Sequence, residues 1–216
     1  MTLMTGDERH DASATSTLDV IWVLYDRVLR VDPARPDDPD RDRFLLSKGH
    51  GPMAYYAVLA ALGFLTEDQL AGFGGLDSPL GYHPDRVLVP GAEIGSGSLG
   101  HGLGLAVGTA LGLRMSGRRE PRVVALVGDA ELDEGSNFEA VQYAGRAGLD
   151  RLTAVVVDND SASLGWPGGI ASRFAAEGWS AVDADGRDHE DLYRALTAGR
   201  ADRPHAVVAH VERKDA

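Results

Sequence analysis

Two apolar runs, residues 122–128 and 152–157, flank a stretch of helical periodicity over 136–148. The first run stops at Asp129 and the second at Asp158 and Asn159. Strand, helix and strand in that order form a βαβ unit, which leaves its two strands parallel with their carboxyl ends side by side. A carboxylate from Asp129 and an amide oxygen from Asn159 then meet at one edge. Such a pair can hold a hard divalent ion, and magnesium held this way keeps positions free for phosphate oxygens. The chain is therefore expected to bind a diphosphate through a metal.

The rest of the chain alternates in the same manner. A helix is expected up to residue 29, capped by Ser16 or Thr17, with Leu18, Ile21, Trp22, Leu24, Tyr25 and Val28 as its apolar face. Residues 32–42, rich in Pro and Asp, read as an exposed loop, and 44–46 as a short strand. Helices are expected over 53–62, 66–72 (capped by Thr66) and 99–115, with a loop over 78–91. After the βαβ unit come a turn at 165–169, a helix to about 178, a strand over 181–184, a helix over 189–198 and a strand over 206–211. The expected fold class is α/β: a mostly parallel sheet with helices on both faces. Residues 1–14 read as a mobile tail, and 15–216 as one domain with a substantial core.

Composition narrows the function. A formal charge of −12 argues against a nucleic-acid surface. No apolar run is long enough to cross a membrane. The absence of cysteine excludes disulfides and thiol catalysis, and a cytoplasmic location is expected. An anionic ligand must be captured locally in so acidic a chain, by metal, backbone amides and histidines.

Gly128-Asp129-Ala130 followed by Asn159 resembles the thiamine diphosphate signature, in which Gly-Asp-Gly precedes an Asn. Four further segments resemble the transketolase family more specifically. They are Arg41-Asp42-Arg43-Phe44-Leu45-Leu46-Ser47-Lys48-Gly49-His50, His83-Pro84, Gly97-Ser98-Leu99-Gly100 and Leu132-Asp133-Glu134-Gly135. Their order and spacing fit from about His10 to His210. The resemblance is to the N-terminal, diphosphate-binding domain alone, as in split transketolases of two polypeptides.

That resemblance implies roles. Asp129 and Asn159 become side-chain metal ligands and the Ser161 carbonyl a third, around magnesium or calcium or manganese in its place. Gly97, Leu99, Gly128, Asp129, Ala130, Glu131 and Asn159 become cofactor-binding. Ala130 departs from the family's glycine; a left-handed Ala there costs roughly 1–2 kcal/mol, whereas Ala serves if only its N–H matters. Gly95 to Gly100 also fits G-x-G-x-x-G, but Pro90 and Gly91 break any strand leading into it, so a dinucleotide fold is rejected. The glycines instead let N–H groups at a helix start point at phosphate.

By the same resemblance His50, His83 and His10 line the donor channel as catalytic groups, a role suited to imidazole. His10 sits in Arg9-His10-Asp11-Ala12-Ser13, where the family has Gly-His-Pro-Gly-Gly. Glu134 and Glu139 are implied at a subunit interface; they also read as solvated acids at a helix start. The later glycines 104, 108 and 112 permit close helix approach, or simple packing.

The function implied is that of the N-terminal subunit of a two-component transketolase-like enzyme, moving a two-carbon ketol unit from a ketose donor to an acceptor. Its expected partner is a C-terminal subunit carrying the pyrimidine-binding and C-terminal domains, in an α2β2 heterotetramer. Its small-molecule substrate is a sugar or sugar phosphate. Two alternatives stay open: another thiamine diphosphate reaction delivering two carbons in a specialised pathway, or a non-catalytic scaffold subunit.

Overall fold

A computed structural model describes residues 1–6 and 11–213. His10 lies outside the described residues. Five strands form one sheet: β1 (Arg43–Leu46), β2 (Val123–Gly128), β3 (Leu152–Asp158), β4 (Ser180–Asp185) and β5 (His205–His210). They run in the order β1-β2-β3-β5-β4, every pair parallel. Strand β2 is buried along its whole length, as its unbroken apolar sequence demands of a strand covered on both faces.

The two-residue period of a strand sorts those side chains into two cores. Val124, Leu126, Val155 and Val157 face one side, with helices α1 (Asp11–Val23), α2 (Met53–Ala61) and α7 (His189–Thr197). Val123, Ala125, Val127, Ala154 and Val156 face the other, with α4 (His101–Met115), α5 (Gly135–Arg146) and α6 (Gly169–Ala176). The short α3 (Glu67–Ala71) carries the expected Thr66 cap, closed into a capping box by Gln69. Among the described residues no helix is long and apolar enough to cross a membrane.

Three local expectations are corrected. Helix α1 is already formed at Asp11, so Ser16 and Thr17 are not its cap; their hydroxyls bond back to the carbonyls of Ser13 (2.8 Å) and Ala14 (2.9 Å). Helix α4 starts at His101, which leaves Leu99 in the loop. Gly100 stops the helix there with φ +85°, and a Cβ on it would lie 2.8 Å from the Glu134 Cβ. The loop over 32–42 does not end exposed, because Asp42 is 0% accessible. Its carboxylate accepts five hydrogen bonds, from the N–H and guanidinium of both Arg30 and Arg122.

Candidate cofactor and metal site

The carboxyl ends of β1, β2 and β3 open into one cleft of about 320 Å³. Pairing of Gly128 with Val157 across β2 and β3 sets Asp129 and Asn159 just beyond adjacent strand ends. Both are buried, Asp129 to 2% exposure and Asn159 to 5%. The next turn of chain wraps the Asp129 carboxylate. Ser161 N–H and Ala162 N–H donate to Oδ2 at 2.5 and 2.9 Å, and the Ser161 hydroxyl donates to Oδ1 at 2.7 Å. Asp160 allows that turn by taking φ +57°, a conformation Asp tolerates better than most residues.

The Asn159 Oδ1 is buried with no hydrogen-bond partner. An orphaned acceptor in the interior is costly unless something satisfies it. A hard cation beside the Asp129 carboxylate is a ligand of the right chemistry, so these residues fit a divalent metal. Among the described residues no cluster of three or more His, Asp or Glu side chains is set to hold a metal. The donor set here is of another kind: one buried carboxylate, Asp129, and one buried amide oxygen, that of Asn159.

Ala130 lies in a 3-10 turn over Ala130–Asp133 and has no positive φ. The left-handed strain considered for it does not arise. Glu131, on the same turn, walls the cleft, yet its carboxylate is held by the protein itself through Ser47, Gly100 and Gly128. Burial pushes its carboxyl above the ordinary range, against those three hydrogen bonds and the nearby charge of Lys48.

His50 lines the cleft, and His83 meets it edge to face, ring centres 5.1 Å apart. Gly97 makes that contact possible: with φ +139°, any Cβ on it would run into the His83 ring. Leu99, Gly128 and Ser161 complete the wall. Glu134 and Glu139 are exposed at the start and on the outer side of α5, away from the cleft lining.

Sequence reasoning passed over two residues. Lys48 lines the cleft and donates to the Ser16 hydroxyl at 2.9 Å. Ser13, also in the lining, donates to the His50 carbonyl at 3.1 Å. Lys48 stood inside the Ser-Lys-Gly-His segment and was legible there as a cation suited to an anionic ligand. Ser13 carried no signal, since only folding brings α1 against His50.

The family described as transketolase, thiamine diphosphate binding domain, matches residues 4–212. A protein of Rhodococcoides fascians named ferredoxin fas2 is 58% identical over 213 residues, covering 99% of this chain and 70% of that one. One of the apulose-4-phosphate transketolase subunits of Actinobacillus succinogenes is 35% identical over 208 residues, 93% of this chain and 75% of that one. Among solved structures, transketolase from Leishmania mexicana superposes with a TM-score of 0.80 at 27% identity, covering 95% of this chain and 37% of that one.

Proposed function

Because this chain belongs to the transketolase family and matches its thiamine diphosphate binding domain, we propose that its cleft binds the diphosphate of that cofactor through magnesium, with calcium or manganese able to replace it. Asp129, Asn159 and the Ser161 carbonyl are the proposed ligands. The observation that carries this reading is the buried, unpartnered Asn159 oxygen beside the Asp129 carboxylate. Gly97, Leu99, Gly128, Ala130 and Glu131 wall the diphosphate, and Lys48 adds a positive charge on the same side of the cleft.

The chain then serves in the cytoplasm as the N-terminal component of a two-component transketolase, joined to a C-terminal component in an α2β2 assembly. Its likeness along most of the Actinobacillus succinogenes transketolase subunit supports that assignment. Glu134 and Glu139 are proposed at the contact between subunits. When bound, thiamine diphosphate supplies the carbon nucleophile for the donor ketose. His50 and His83 hold and move protons on the donor's oxygens, with their rings in contact edge to face. His10 is proposed for the same channel. Burial of Asp129 and Asn159 keeps water from their side of the ion and strengthens its hold.

Iron–sulfur chemistry, which the name of the Rhodococcoides fascians relative invokes, is not proposed for these residues. Such clusters are held by cysteine thiolates, and the sequence contains none.

Calorimetry of thiamine diphosphate binding to the chain mixed with its C-terminal partner, with and without magnesium, tests the reading. Magnesium-dependent binding and ketol transfer by the mixture, with no turnover by either chain alone, is the expected result. Magnesium-independent binding, or turnover by the single chain, overturns it.

A further inference from the structure

We propose that Glu131 is a positioning residue whose carboxylate locks the Ser47 segment, the start of α4 and the end of β2 into the arrangement that receives the diphosphate. This rests on the reading that the cleft takes a diphosphate. The geometry carries it. Glu131 is 1% exposed. Its Oε1 accepts from the Ser47 hydroxyl and from Gly100 N–H at 2.9 Å, and its Oε2 accepts from Gly128 N–H at 3.3 Å. The Ser47 hydroxyl in turn accepts from Gly102 N–H at 2.9 Å. One side chain therefore joins three segments that are far apart in sequence and that all contribute to the site.

The amino end of α4 is the place where a free anion would ordinarily meet helix amides. Here two of those amides are committed to the chain's own carboxylate, Gly100 directly and Gly102 through Ser47. Those two amides are thereby withdrawn from the diphosphate, while Glu131 fixes where the loop before α4 stands. Packing leaves little slack: a Cβ on Gly102 would collide with the Ser47 side chain.

Both carboxylate oxygens face a backbone N–H. A glutamine in either flip sets its NH2 group against one of them and strands a buried donor. Glu131→Gln is thus a severe change to the lock at almost constant shape, and Ser47→Ala removes one donor while leaving the carboxylate in place.

The assembled two-subunit enzyme is titrated with thiamine diphosphate at saturating magnesium, reading the half-saturating cofactor concentration and kcat separately, with thermal unfolding as a control. Glu131→Gln is expected to raise the half-saturating concentration at least tenfold, with a much smaller change in kcat at saturating cofactor. Ser47→Ala should move the same quantity less, and the double variant no further than Glu131→Gln. If Glu131→Gln does not assemble, the Ser47→Ala shift alone decides. Unchanged cofactor dependence in a folded variant, or a loss confined to kcat, overturns the positioning role. Failure of the wild-type complex to bind the cofactor instead overturns the diphosphate reading itself.

Discussion

Ser161 grips both oxygens of Asp129, its N–H on Oδ2 and its hydroxyl on Oδ1, whereas the neighbouring Asn159 oxygen is buried and ungripped. The carboxylate is thus oriented by the chain itself, and the proposed metal would take the amide oxygen. Removing the carboxylate in Asp129→Ala leaves the diphosphate charge uncompensated, and cofactor affinity should fall by at least about 2–3 kcal/mol. Asn159→Ala should act similarly. Calorimetry at saturating magnesium on the assembled complex is the measurement; wild-type affinity in both would place the metal elsewhere.

The His50–His83 pair predicts a loss of turnover without loss of assembly. Alanine at either position should lower kcat by roughly 10²-fold, the scale for a proton-transfer group. His10→Ala should cost less, because its segment departs from the family pattern. Steady-state kinetics on the complex decide. Equal damage from His10→Ala and His50→Ala would refute the separation of roles.

Ala130 predicts a result in the opposite sense to family likeness. Restoring the family's glycine with Ala130→Gly relieves no strain, because the residue is right-handed. Cofactor affinity should stay as it is, and stability should drop by about 0.5–1 kcal/mol from the greater freedom of the unfolded glycine. Thermal unfolding and calorimetry together check this; tighter cofactor binding in the variant would contradict it.

Asp42 predicts part of the acid sensitivity. Burial pushes its carboxyl up, but the hydrogen bonds from Arg122 and Arg30 outweigh burial and hold it below its ordinary value of 3.8. A carboxyl depressed in the folded state stabilises the fold above the unfolded value, and that contribution disappears as pH falls below about 3.8 through the folded value. Asp42→Asn should destabilise the protein at pH 7 by about 2 kcal/mol, the scale of charged hydrogen bonds to a buried acceptor, since the Arg30 and Arg122 side chains left behind stay partly in water. It should also flatten the acid limb of a stability-against-pH curve. Urea unfolding from pH 3 to pH 7 would show it, and parallel curves for the two proteins would rule it out.

The sequence alone determined the alternation of strands and helices, the parallel sheet and the meeting of Asp129 with Asn159. Each rests on short-range information: apolar runs of strand length, a helical period between them, and polar residues at the stops. The Thr66 cap and the Ser-Lys-Gly-His segment were legible for the same reason, being written in consecutive residues. What only the tertiary structure decided were relations between distant segments. No local signal says that Asp42 is enclosed by Arg30 and Arg122, that Ser13 reaches His50, or that Glu131 joins Ser47 to Gly100. The handedness of Ala130 belongs to this second group, because φ at a turn is set by the surrounding packing, here a 3-10 turn that any L-residue can enter, and not by the identity of the residue the family usually carries.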